Sequence, residues 1–130
     1  MATASIETVP DVLQWNCRSL ATCAHELNLL FERIGCPPIL LLQETNGTSP
    51  GIRHYKALYS PSIMHTPRYQ NAPVIRSKAA IFIHKNTPHA QLDTSAFCSL
   101  HQEIVAARVR YNRKHLVVVS AYVRPHAKPH

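Results

Sequence analysis

Acidic residues are scarce in this chain. Seven Asp and Glu stand against fourteen Lys and Arg over 130 residues, for a formal net charge of +7, and only Asp11 and Asp93 are aspartates. The balance favours polyanionic partners, because Lys and Arg neutralise phosphates and release condensed counterions, with a basic but inert surface as the alternative. Most of the bases fall in the second half, from Arg68 to Lys128. Long hydrophobic runs are missing as well: none approaches the roughly 18 residues a membrane helix needs, so no membrane partner is expected. The first residues, Met1 to Glu7, have neither a basic n-region nor an apolar h-region and do not read as a secretory signal. Four cysteines (Cys17, Cys23, Cys36, Cys98) fit neither a paired-thiolate zinc pattern nor a dense disulfide framework. Reduced thiols and an intracellular location, nucleus or cytoplasm, are the expectation. Internal repeats and low-complexity tracts are absent too.

What is present suffices for a folded unit. The apolar fraction of 45% is ordinary for a globular protein, and the length fits one domain of about 100–150 residues. Residues 1–10 read as a loose leader ending at Pro10. Val12 to Asn16 reads as a strand. Ala24 to Ile34 carries Leu27, Leu30, Phe31 and Ile34 on one stripe, the mark of an amphipathic helix. Gly35 supplies its stop and Pro37-Pro38 forbids continuation. Ile39 to Gln43 is continuously apolar up to its last residue, as a fully buried strand would be. Strand, helix and strand of these lengths make a βαβ unit with parallel strands. Tyr55 to Tyr59 is a weaker strand, residues 60–77 a loop, Lys78 to His84 a buried strand, and Thr87 to His101 an irregular polar stretch. Ile104 to Arg110 and His115 to Tyr122 flank a turn at Asn112-Arg113-Lys114 and read as an antiparallel hairpin.

Two strings carry the chemistry. Leu13-Gln14-Trp15-Asn16 and Leu42-Gln43-Glu44-Thr45 each set polar groups at the end of an apolar run. Ligands of open α/β sheets gather outside the carboxyl ends of strands, so an amide and a carboxylate there can face one site, and oxygen donors suit a hard cation such as Mg²⁺. Taken singly, Asn16 is a turn former after a strand, Glu44 a solvent-facing strand end, and Tyr122 a half-buried core residue with its hydroxyl at the rim. Trp15 reads as core, and Cys17 as a small buried residue rather than a nucleophile. His126 and His130 do not make a zinc site, since Pro129 breaks any helix joining them.

Leu13 to Leu20, Ile39 to Thr45 and Ser120-Ala121-Tyr122-Val123-Arg124-Pro125, taken in order, resemble the endonuclease/exonuclease/phosphatase family. Within it they are most similar to the apurinic-type endonuclease domain encoded by non-LTR retrotransposons. The likeness runs from residue 12 to residue 125 in motif order. It implies an α/β fold, part of a four-layer α/β sandwich with mixed β-sheets, and Mg²⁺-assisted hydrolysis of DNA phosphodiesters, with Mn²⁺ as a substitute ion. By the same resemblance Glu44 matches the metal-ligand glutamate, Asn16 the asparagine that supports metal and active-site geometry, and Tyr122 the tyrosine whose hydroxyl reaches the scissile phosphate. Arg124, Arg76 and Lys78, with Arg68 and Lys85 nearby in sequence, are candidate contacts to the DNA backbone.

The family pattern continues with a Gly-Asp-Phe-Asn-like and then a Ser-Asp-His-like segment, which supply the water-activating aspartate and its histidine partner. This chain contains neither. Residues 11–130 therefore read as the N-terminal part of the domain, inactive alone, with DNA as partner of the longer form. A phosphatase or exonuclease of the same superfamily, or a non-catalytic basic nucleic-acid-binding relic, are the alternatives. A partial sandwich is expected to leave apolar sheet faces uncovered at Leu116 to Val119 and Ile39 to Leu42, a route to self-association.

Overall fold

A computed structural model describes residues 9–46, 51–60, 78–99 and 101–124. Arg68, Arg76, His126 and His130 lie outside them. The described residues form two mixed or antiparallel sheets and one α-helix. In the first sheet β1 (Val12–Asn16) runs parallel to β2 (Ile39–Gln43), β2 pairs antiparallel with β4 (Ala79–His84), and β4 pairs antiparallel with β3 (Tyr55–Tyr59). The second sheet is the antiparallel set β5 (His89–Leu92), β6 (Gln102–Tyr111) and β7 (Lys114–Val123).

Alternation along the strands fixes the layers. Leu40, Leu42, Ala80 and Phe82 point to one face of the first sheet and pack with Leu20, Cys23, Ala24, Leu27 and Phe31 of helix α1 (Leu20–Ile34). Ile39, Ala79, Ile81 and Ile83 point to the other and meet Val105, Ala107 and Val109 of β6. The central strands β2 and β4 are thus covered on both sides, which explains their almost unbroken apolar runs. Each buried Leu, Ile, Val or Phe among them contributes about 1.5–3 kcal/mol by leaving water. Among the described residues the order is helix, sheet, sheet: three layers.

Several expectations are corrected. Helix α1 begins at Leu20 rather than Ala24, with Ser19 in extended N-cap conformation; the Leu20 N–H donates to the Thr45 carbonyl at 3.0 Å, which anchors the first turn to the chain leaving β2. The buried stripe is Leu20, Cys23, Ala24, Leu27 and Phe31, and Leu30 stands at its solvent edge, 38% exposed. Trp15 is not core. It sits on β1, an edge strand paired only with β2, and remains 38% exposed. The irregular stretch 87–101 contains β5 and a 3₁₀ turn over Ser95–Phe97. A polar segment becomes a strand there because pairing with β6 outweighs its weak intrinsic preference. Lys114 belongs to β7, leaving a two-residue turn, Asn112-Arg113, with φ of 52° and 62°. Two left-handed residues make a primed turn, whose twist suits a hairpin. Ile39 to Leu42 are largely covered, so only β7 keeps the expected apolar exposure, at Val117 and Val119, and Val123 stands exposed as well.

Gly35 closes α1 as predicted: its φ is +95° and its N–H donates to the Phe31 carbonyl at 2.9 Å. A Cβ at Gly35 would also lie 2.7 Å from the side chain of Val9, so both conformation and space require glycine.

Candidate functional site

The carboxyl ends of β1, β2 and β7 and the first residue before β4 come together at one end of the molecule. Asn16 stands opposite Gln43 in the parallel ladder, and the Cys17 N–H donates to the Gln43 carbonyl at 3.0 Å. Glu44, the next residue, leaves the strand with φ of +54°, and its N–H donates to the Lys78 carbonyl. Lys78 returns its own N–H to Glu103 Oε1 at 2.9 Å, and Glu103 faces Tyr122 across the β6–β7 ladder. A continuous chain of contacts therefore runs from Asn16 through Glu44 and Lys78 to Tyr122.

The side chains divide by exposure. Asn16 is exposed, and its Oδ1 accepts only a long bond, 3.4 Å, from the Arg18 N–H. Its amide thus combines the turn-forming role with an open, solvent-facing edge. Glu44 is half-buried. Tyr122 is half-buried against the inter-sheet core, with the Lys78 ammonium 5.9 Å from its ring centroid. Lys78 Nζ also donates to Asn46 Oδ1, and Asn46 Nδ2 to the Arg18 carbonyl, tying the turn after β1 to the turn after β2. Arg124 is 45% exposed along its side chain; Nη2 lies 3.5 Å from Glu103 Oε2, and its N–H donates to the His101 carbonyl at 2.7 Å.

Of the candidate bases, Lys78 and Arg124 reach this end. Arg76 lies outside the described residues. Lys85 follows the opposite end of β4, on the order of 20 Å away at the rise of a strand. Both aspartates serve elsewhere. Asp11 precedes β1 and accepts the Tyr111 hydroxyl at 2.7 Å. Asp93 accepts the Ser95 N–H at 2.9 Å, and that bond holds its carboxyl below the usual range.

Cys17, next to Asn16, is chemically quiet. Burial, with a further contribution from neighbouring Cys23, pushes its thiol up to about 12. The thiolate needed for nucleophilic or metal-binding work is thereby suppressed at neutral pH. Among the described residues no group of three His, Cys, Asp or Glu stands close enough to hold a metal. Mg²⁺ asks for less: it keeps several waters and is held through one or two carboxylates together with substrate phosphates. Glu44, half-buried, and Asn16, exposed, follow or end the paired strands β2 and β1, and each carries a side-chain oxygen of the kind such an ion takes.

Sequence reasoning missed Glu103, Gln43, Ser120 and Asn46. Glu103 left one signal: it continues the inward phase of Val105, Ala107 and Val109. The residue that this parity places in the core is a carboxylate, 3% exposed. A concavity lined by Asn28, Phe31, Glu32, Cys36, Arg53 and His54 lies beside the second half of α1. It contains no sequence-predicted site residue, and the Arg53–Glu32 pair at 3.1 Å spans its charged groups. In comparison with known proteins, no protein-family model matches this chain and no curated protein matches it.

Proposed function

We propose that this chain is part of a Mg²⁺-dependent DNA endonuclease domain of the retrotransposon type, and that it carries the metal and phosphate side of the site without the side that activates water. The observation carrying the reading is the convergence of Asn16, Glu44 and Tyr122, from three strands of two sheets, at one end of the fold. Glu44 and Asn16 would hold the ion, and Tyr122 would donate its hydroxyl to a phosphate oxygen. When bound, Mg²⁺ supplies Lewis-acid polarisation of the phosphoryl group. Lys78 and Arg124 add positive charge for the DNA backbone. The four-layer sandwich implied by the sequence resemblance would place further helices over the outer face of the second sheet, where Val117, Val119 and Val123 stand exposed.

A second reading, a non-catalytic basic nucleic-acid-binding module, is favoured by one observation: both aspartates already hold other partners, the Tyr111 hydroxyl and the Ser95 N–H. Titration with Mg²⁺ separates the two. Amide shifts centred on Glu44 and Asn16, lost in Glu44→Ala, are expected for the metal site. No response at millimolar Mg²⁺ would support the binding module instead. The chain alone is expected not to nick supercoiled plasmid in Mg²⁺; nicking that disappears in Glu44→Ala would show that a water-activating group is present after all.

A further inference from the structure

Glu103 has no part in the reading above, yet it is the most deeply buried carboxylate at this end of the fold, 3% exposed. A buried charge is retained only when partners compensate it. One oxygen accepts the Lys78 N–H at 2.9 Å and the other lies 3.5 Å from Arg124 Nη2. Register places Glu103 opposite Tyr122. Directly opposed residues of an antiparallel pair project from the same face, with Cβ atoms about 4.5–5.5 Å apart. Arg124 follows two residues after Tyr122. Lys78, fixed at its backbone by the same carboxylate, carries its ammonium 5.9 Å from the Tyr122 ring.

One acid therefore binds the backbone of one basic residue and the guanidinium of another, opposite one phenol in the ladder. The guanidinium is planar with five donors in a rigid fork. Glu103 lies against one nitrogen of Arg124, and the Arg124 side chain is 45% exposed, open to a further partner. Such a fork is preorganised for two oxygens of a phosphate.

We infer that Glu103 is a positioning residue which orients Arg124, and the Lys78 segment beside it, to grip a DNA phosphodiester next to Tyr122. The inference rests on the DNA reading above. It makes a prediction opposite in sign to simple electrostatics. Glu103→Gln removes one negative charge from a chain already at +7, so an unstructured basic surface would bind polyanions more tightly. Loss of positioning weakens binding instead. The glutamine oxygen can still accept the Lys78 N–H, which preserves the fold while releasing Arg124.

The experiment measures binding of a short labelled single-stranded oligodeoxynucleotide by fluorescence anisotropy, without Mg²⁺, over a series of salt concentrations. Glu103→Gln is expected to bind about tenfold more weakly than wild type, the equivalent of one charge-assisted bond. Its log–log salt slope should fall by about one, as when one phosphate contact is lost. Arg124→Lys, which keeps the charge and loses the fork, should show the weaker binding with its salt slope unchanged, and serves if Glu103→Gln fails to fold by its amide spectrum. Equal or tighter binding by a folded Glu103→Gln, or an unchanged Arg124→Lys, overturns the inference alone. Failure of the wild type to bind at low salt overturns the DNA reading and this inference together.

Discussion

Ser120 on β7 clasps Gln43 and Leu42 on β2: its hydroxyl accepts from Gln43 Nε2 at 3.0 Å and donates to the Leu42 carbonyl at 3.0 Å. Gln43 Nε2 is thereby fixed, while its Oε1 accepts from Gln14 Nε2 of β1. Three strands from two sheets are joined by these polar groups immediately behind the site. Ser120 is 1% exposed, so Ser120→Ala leaves the Leu42 carbonyl without that donor in a dry environment. The expected cost is about 1–3 kcal/mol, seen as a lower urea midpoint with unchanged slope. A midpoint equal to wild type would show that the clasp does not stabilise the sheet-to-sheet contact.

Arg113 adopts φ of +62° in the hairpin turn, beside Asn112 at +52°. A side chain in that region costs about 1–2 kcal/mol, and glycine avoids the penalty while losing somewhat more freedom on folding. Arg113→Gly creates the Asn-Gly pair favoured in such turns. A thermal midpoint a few degrees above wild type is expected by circular dichroism; a lower one would mean that the guanidinium has a stabilising role in the turn.

Phe82 is 1% exposed, lies between α1 and the first sheet, and meets Tyr59 edge-on with centroids 6.4 Å apart. Phe82→Ala should cost about 3–5 kcal/mol through lost transfer energy and a residual cavity. Denaturant unfolding would measure this, and a loss under 1 kcal/mol (about the cost of a conservative core change) would place Phe82 outside the folding core.

Cys17 predicts the behaviour of the fold in alkali. Its thiol, ordinarily near 9.0, is pushed up to about 12 chiefly by burial, and burial also raises the Tyr55 phenol. A raised value in the folded state means that the fold keeps a proton which the unfolded chain gives up. The associated stability is full below about pH 9 and is lost as pH climbs from there toward 12. Unfolding midpoints at pH 8, 9.5 and 10.5 should fall in that order. Native Cys17 should also resist iodoacetamide at pH 8 until denaturant is added; rapid labelling of the folded chain would contradict its burial.

Much of this architecture was legible in the sequence because periodicity reports burial. Val12–Asn16, Ile39–Gln43 and Tyr55–Tyr59 form strands over the residues their patterns indicate, the first two are parallel, and β6 and β7 form the expected antiparallel hairpin. Pattern alone could not tell that β1 is an edge, which leaves Trp15 in contact with solvent, or that β5 would form by pairing with β6. Nor could it distinguish Leu30 from Leu27, because the stripe is set by where Leu20 is anchored. At the site, Asn16 and Glu44 stand out as polar strand ends, whereas Tyr122 is named only through the resemblance. Glu103, Asn46 and Ser120 act through partners 25 or more residues away on other elements, and such partners are invisible until the strands are placed.

Arg18, Glu44 and Asn46 all take positive φ, 60°, 54° and 55°, in the two turns that carry the candidate ligands. Each such residue stores on the order of 1–3 kcal/mol that the surroundings must hold down. The shape of this end is therefore borrowed from the stability of the rest: weaken the layers behind it, and these turns relax first while the strands are still paired. A change in those layers, at Phe82 or at Ser120, would then be felt as a blurred ligand geometry before it is felt as unfolding. Relieving the strain locally with glycine would harden the fold while removing the side chains that give the turns their purpose.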